Sequence, residues 1–268
     1  KYSTTCSKSW TDVNINFKTR RLGHCCISTY HEMPDTLKPD YFANNEGIQK
    51  RRSDSLKGIM HPDCVRCWRD IETNNIPFKN GQNKWSDFSN AKPDVPQVRY
   101  IEMEMDNVCD LSCLYCSPQH SSKIAQEEGK VVTSKTTEED FNVFKDWLTD
   151  TVNNADDDID IAFLGGEPTA SKAFYSMIDH IASLDNMRGE ILLTTNGNTK
   201  EYLFNKMLDT MSKTQLEWAI HLSNESFKND SNLIRYGLDW DTFESNLHAY
   251  AQHPKVSRII FDVAITLM

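Results

Sequence analysis

From residue 97 onward, segments of strand period alternate with segments of helix period, and no other feature restricts the possible folds so sharply. "QVRYIEMEM" (97–105), "DIDIAFL" (158–164), "GEILLTTNG" (189–197), "QLEWAIHLS" (215–223) and "SRIIFDVAITL" (257–267) read as five strands. Amphipathic segments lie between them. Residues 137–152 carry Phe141, Phe144, Trp147 and Leu148 at helical spacing, with Thr136 and Glu139 offering a capping box. Residues 173–184, 202–211 and 242–251 repeat the pattern through Phe174 and Ile178, Leu203 and Met207, and Phe243 and Leu247. Five such steps predict an α/β fold built as a parallel sheet or a partial, TIM-like (βα) barrel. In that fold the working residues stand just past the C-terminal ends of the strands.

Four landmarks fall at those ends. Cys109, Cys113 and Cys116, spaced C-x-x-x-C-x-x-C, follow the first strand. "GGEP" (165–168) follows the second, "TTNG" (194–197) ends the third, and Ser223 ends the fourth. Three thiolates can ligate three irons of a cubane cluster and leave the fourth iron open for a ligand. A zinc ion completed by a distant ligand such as His120 is the competing reading. In "GGEP", two glycines let the backbone approach a ligand closely, Glu167 can receive an ammonium group, and Pro168 is suited to open the next helix.

The cysteine spacing, the aromatic Tyr115 before the last cysteine, and "GGEP" after strand two together resemble the radical S-adenosylmethionine superfamily. The resemblance covers residues 97–268. It implies a [4Fe-4S] cluster on Cys109, Cys113 and Cys116, with S-adenosylmethionine on the open iron. An electron would cleave the cofactor to methionine and a 5′-deoxyadenosyl radical, which takes a hydrogen atom from substrate. It further implies that Gly165, Gly166 and Glu167 hold the methionyl amino group. Pro168, Tyr115, Thr195, Asn196 and Ser223 would join the cofactor-contacting set, and the Arg235 fork would take the methionyl carboxylate. Where the family often has Ser-Ile-Asp after strand four, this chain has Ser223-Asn224-Glu225.

Residues 1–93 have another texture: five cysteines and few long periodic segments. Residues 10–17 read as a strand, residues 21–28 as its hairpin partner with a turn near 18–23, and residues 78–96 as a linker to the barrel at 94–268. Cys6, Cys25 or Cys26, Cys64 and Cys67 would make four thiolate ligands, enough for a closed iron–sulfur or zinc site. Cys25 is preferred over Cys26. The series Cys6, Trp10, Cys25-Cys26, then "CVRCWRDIE" (64–72), resembles the twitch or SPASM-type auxiliary-cluster modules of radical S-adenosylmethionine enzymes, placed here before the barrel. Such a module implies a second [4Fe-4S] cluster that accepts an electron from the substrate radical or holds substrate. The run Lys50-Arg51-Arg52 reads as a solvated loop. His221, two residues before Ser223, is either a core or a substrate-contacting histidine.

The 268 residues carry a formal net charge of −10, which disfavours nucleic acid or an anionic membrane as a partner. No apolar run reaches the ~20 residues needed to span a bilayer. The C-x-x-C and C-x-x-x-C spacings suit metals better than disulfides, which points to reduced thiols and a cytoplasmic protein. The family barrel has six strands and five are legible here, so the barrel is expected to be open or to continue past Met268. The expected activity is oxidation or crosslinking of a peptide, fed by an external donor such as a flavodoxin or ferredoxin. Dehydrogenation of a small alcohol or sugar, and a non-catalytic metal-binding or electron-transfer protein, are the alternatives.

Overall fold

Ten strands are found among residues 6–74 and 91–264, the residues described in this computed structural model: β1 (Asp12–Asn16), β2 (Arg21–Gly23), β3 (His31–Glu32), β4 (Tyr100–Glu104), β5 (Ser112–Cys113), β6 (Asp160–Leu164), β7 (Glu190–Thr195), β8 (Glu217–Ser223), β9 (Arg235–Tyr236) and β10 (Val256–Asp262). The chain divides into two compact units. One comprises Lys1–Ile15, Thr19–Glu102 and Thr136–Asp157; the other comprises Asn16–Lys18, Met103–Lys135 and Asp158–Met268.

In the second unit β10, β8, β7 and β6 lie side by side and parallel, with the end of β4 next to β6. These are the five expected strands, each within about three residues of its sequence-based bounds over the described residues. Among the described residues the sheet is open, as in a partial barrel. Alternation along the strands divides its two faces. Phe163, Leu193, Trp218, Ile220 and Leu222 are buried, and Phe163 meets Phe174 of the helix Lys172–Ala182 edge-on at 4.8 Å. Leu164, Leu192, Thr194, His221, Ser223 and Asp262, on the opposite face, are half-buried. Helices Glu201–Lys213 and Trp240–Gln252 supply Phe204 and Tyr250, in contact at 5.0 Å, to the core of this unit.

The first unit is stapled by the aromatic cluster Phe42, Phe144 and Trp147, with ring centroids 5.2–5.3 Å apart. The helix Glu138–Asn153 begins one residue later than the sequence suggests. Thr137, not Thr136, is the N-cap, and Asp140, not Glu139, completes the capping box. Asp140 is also held by the Arg20 fork at 2.7 and 2.8 Å, a contact that only the folded chain supplies. Arg20 lies between β1 and β2 with φ +58°, where glycine would be unstrained; its bonds to Asp140 and to the Met33 carbonyl hold it there.

Three further expectations are corrected. The strand expected from residue 10 starts only at Asp12. Before it Lys8–Thr11 form a helical turn, fixed by the Lys8–Asp12 ion pair at 2.5 Å and by Thr11 N–H donating to the Ser7 carbonyl. The partner strand ends at Gly23, because Ser28 turns back onto the Cys25 carbonyl. Lys50-Arg51-Arg52 is no solvated loop: it lies on the helix Glu46–Leu56, and Arg51 and Arg52 are buried. Most of the linker expected at 78–96 lies outside the described residues.

Candidate active site and a second cysteine cavity

The loop after β4 carries the first three cysteines. Cys113 belongs to β5, which pairs antiparallel with β9 so that Cys113 faces Arg235 and Ser112 faces Tyr236. The Leu114 N–H extends this pairing to the Ile234 carbonyl at 2.8 Å, and the Cys116 N–H turns back onto the Cys113 carbonyl at 3.0 Å. Ser122 ties the other side of the loop by bonding both the Cys109 N–H and the Cys109 carbonyl at 3.1 Å. All three thiols are free. Burial pushes the Cys109 thiol up to about 12 and raises Cys113 as well, with the Arg235 guanidinium opposing the rise at Cys113. Thiolates disfavoured by burial need a cation in place of the proton, which is what a metal centre provides.

"GGEP" fits against this loop. Gly165 holds φ +120°, and a Cβ on Gly166 would stand 2.4 Å from the Val108 carbonyl oxygen. The glycines therefore admit the backbone of the cysteine loop itself, rather than only leaving room for a ligand. The Gly166 and Glu167 N–H groups donate to the Asp106 and Val108 carbonyls at 3.2 and 2.6 Å. Pro168 opens the short turn Pro168–Ala170, capped by Glu167.

Glu167 is fully enclosed. Its Oε1 accepts from Thr169 Oγ1, Thr195 Oγ1 and the Thr169 N–H, and its Oε2 accepts from the Asn196 N–H at 2.7 Å. Burial raises its carboxyl above the usual range despite these donors. Oε2, with one bond, keeps acceptor capacity for an ammonium. Thr195 is thus turned toward Glu167. Asn196 reaches back to the cysteine loop, its Nδ2 donating to Asp110 at 3.0 Å and lying 4.0 Å from Cys109 Sγ.

Arg235 is held by a bidentate pair with Glu225, both contacts 2.7 Å, and lies 3.7 Å from Cys113 Sγ. The pair is 8% and 5% exposed, so it is a desolvated, charge-assisted contact. Tyr115 donates to the same Glu225 at 2.7 Å and lies under the guanidinium at 5.6 Å. Ser223 closes β8 opposite Asp262. His221, on the half-open face of the sheet, contacts Asp262 at 3.1 Å through Nδ1, and its Nε2 is buried without a partner.

The structure therefore gathers Cys109, Cys113, Glu167, Asn196 and Arg235, with Tyr115, around one loop. Sequence reasoning missed Asp110, Asn198 and Glu225. Asn198 donates to Asp110 at 2.9 Å, so "TTNGN" clamps the loop with two asparagines, not one. The departure from Ser-Ile-Asp was the available signal for Glu225.

In the first unit Cys6, Cys25, Cys64 and Cys67 line one cavity together with Arg51 and Trp68. The turn Pro62–Cys64 runs into the helix Val65–Asn74, which places Cys64 and Cys67 three residues apart on one helical face. Cys25 is buried, whereas Cys26 is exposed and is not part of the lining. Burial raises Cys6 to about 11 and raises Cys64, while Cys25 is lowered to about 6, chiefly by the Cys26 thiol. Among the described residues no group of three or more His, Cys, Asp and Glu closes on a single ion. The ligands of a cubane stand farther apart than that, because each meets a different iron. No described helix is long and apolar enough to cross a membrane.

No family model matches the chain. It is 27% identical over 143 residues to molybdenum cofactor biosynthesis protein 1 of Dictyostelium discoideum, covering 53% of this chain and 20% of that protein. It is 28% identical over 123 residues to GTP 3′,8-cyclase of Haemophilus influenzae, covering 46% of this chain and 32% of that enzyme. The chain thus spans a fifth to a third of the curated relatives it matches. Streptococcus suis SuiB bound to S-adenosylmethionine aligns over 98% of this chain and 57% of its own, with 14% identity and a TM-score of 0.44.

Proposed function

We propose that the chain is a radical S-adenosylmethionine enzyme that oxidises or crosslinks a peptide. The observation that carries this reading is the pair of cysteine sites: three thiols on one loop ringed by hydrogen-bonding groups, and four thiols around one cavity. The residues fit the cofactors. Cys109, Cys113 and Cys116 would hold a [4Fe-4S] cluster. Bound there with S-adenosylmethionine, it would supply a 5′-deoxyadenosyl radical for hydrogen abstraction. Glu167 would receive the methionyl ammonium through Oε2. Arg235, beside Cys113, would present its guanidinium to the methionyl carboxylate, with Glu225 and Tyr115 orienting it. Asn196 and Asn198 hold the loop through Asp110, so the ligands keep their geometry as charge changes on them.

Cys6, Cys25, Cys64 and Cys67 would hold a second cluster that takes up the electron left on the oxidised substrate. The peptide as substrate class follows from the resemblance of the first module to those of peptide-modifying enzymes. A purine nucleotide is the second reading, favoured by the similarity to GTP 3′,8-cyclase over 123 residues.

Anaerobically reconstituted protein should carry about eight irons per chain. With dithionite and S-adenosylmethionine it should release 5′-deoxyadenosine. A protein loaded with iron at both sites that cleaves no cofactor would refute the enzyme reading. GTP-stimulated cleavage with a cyclised nucleotide product would replace the peptide by the nucleotide.

A further inference from the structure

We propose that Arg51 is the counter-cation of the metal–thiolate group held by Cys6, Cys25, Cys64 and Cys67, and that its charge raises the reduction potential of that group. This rests on the reading of the cavity as an auxiliary iron–sulfur site and adds what sets its potential.

The three basic residues of the helix Glu46–Leu56 behave differently. Lys50 pairs with Asp54 at 2.9 Å. Arg52 is saturated by neutral oxygens: the Ser9, Ala43 and Pro93 carbonyls and Asn44 Oδ1, at 2.7–3.1 Å. It is a structural crosslink. Arg51, adjacent to it and 4% exposed, has no such set. Its Nε is buried without a hydrogen-bond partner, and among the described residues it forms no ion pair with a carboxylate. It lines the cavity together with Cys6, Cys25, Cys64 and Cys67.

A guanidinium buried without an anion is strongly unfavourable. Four metal-bound thiolates are an anion of matching size. The other cationic candidates in the lining are already answered. Lys8 pairs with Asp12, and His61 accepts the Asp63 N–H at Nδ1 and stands within 4.0 Å of the Asp54 and Asp63 carboxylates. The His24 Nδ1–H donates to the Asp12 carbonyl at 2.9 Å. Among the described residues, Arg51 is therefore the positive charge left unmatched at this cavity.

The sign of the effect follows. Reduction adds one negative charge to the group, and a buried cation next to it favours the more negative state. An elevated potential makes the group a better acceptor for an electron leaving a substrate radical.

The test uses the full chain carrying Cys109→Ala, Cys113→Ala and Cys116→Ala, so that the remaining irons belong to the cavity. Iron content, the reduced-state electron paramagnetic resonance signal and a potentiometric titration are compared for Arg51, Arg51→Lys and Arg51→Met. The expected result is about four irons in all three, with Arg51→Met harder to reduce by tenfold or more. Tenfold corresponds to about 59 mV for one electron. Arg51→Lys should recover most of the difference. Loss of iron from Arg51→Met but not from Arg51→Lys also supports the counter-cation role. Unchanged potential in Arg51→Met, or equal loss of iron in both variants while the fold is kept by circular dichroism, overturns it. Absence of iron from the Arg51-intact chain would instead refute the reading of the cavity as an iron–sulfur site.

Discussion

The two cysteine sites differ less in their thiols than in the groups around them. The loop of Cys109, Cys113 and Cys116 is ringed by polar groups already engaged with one another: Glu167 with Thr195 and Asn196, Arg235 with Glu225 and Tyr115, Asp110 with two asparagines. In the cavity of Cys6, Cys25, Cys64 and Cys67 the buried charge is Arg51, whose Nε has no hydrogen-bond partner. A centre that must grip and turn over a cofactor needs charge of both signs in fixed positions. A centre that only stores an electron needs a counter-charge and exclusion of water. The contrast predicts a division of labour, and it can be broken at several levels.

The largest effect separates the sites outright. Cys113→Ala should abolish 5′-deoxyadenosine release, while Cys64→Ala should keep it and lose product formation from substrate. Cofactor cleavage measured by chromatography on both variants decides it; loss of cleavage in both would remove the distinction between the sites.

Next is the fit of "GGEP" against the cysteine loop. Gly166→Ala puts a methyl group where the Val108 carbonyl oxygen lies 2.4 Å away. Backbone on both sides cannot yield cheaply, so the expected loss is about 1–3 kcal/mol of stability. Iron should fall at the loop and not at the cavity. Urea denaturation and iron analysis of the variant report both quantities, and a fully loaded, equally stable Gly166→Ala protein would contradict the packing argument.

Glu167 provides a subtler probe. Burial raises its carboxyl from the ordinary 4.5, so the native chain keeps a proton that the unfolded chain has lost. The stability tied to that proton is complete below pH 4.5 and drains away as pH rises toward the raised value. Metal-free protein should therefore lose stability upward from pH 4.5, and Glu167→Gln should remove that part of the slope. A bound ammonium favours the carboxylate, so S-adenosylmethionine should flatten the slope in loaded wild-type protein. Denaturation midpoints between pH 4.5 and 7.5 would show it; identical slopes in wild type and Glu167→Gln would mean the carboxyl is not raised.

These probes lean on features of unequal legibility in the sequence. The parallel strands were readable because each announces itself within seven to eleven residues: Ile161 and Phe163, or Ile191 and Leu193, alternate whatever the rest of the chain does. The landmarks at the strand ends followed from strand direction alone. Asp110–Asn198 was not readable, since 88 residues separate the partners and neither residue type is unusual in a loop. Arg51 was misread for a related reason. Three consecutive basic residues look solvated until the fold buries two of them, one against carbonyls and the other in the lining of the cysteine cavity. The capping box moved by one residue because Asp140 gains Arg20 from 120 residues away, a contact Glu139 has no means of competing with.

The smallest expected effect concerns the adjacent pair Cys25-Cys26. Sequence spacing cannot separate neighbours, but burial can: Cys25 is 6% exposed within the cavity lining, and Cys26 faces outward. Cys26 acts on its neighbour through the thiol contact that lowers Cys25. A metal on Cys25 takes over that role, because a coordinated sulfur is deprotonated without help from a hydrogen bond. Cys26→Ser should therefore leave the iron content and cofactor cleavage unchanged, whereas Cys25→Ser should lose about four irons and keep cleavage. If Cys26→Ser were the variant that loses iron, the ligand would be the exposed thiol.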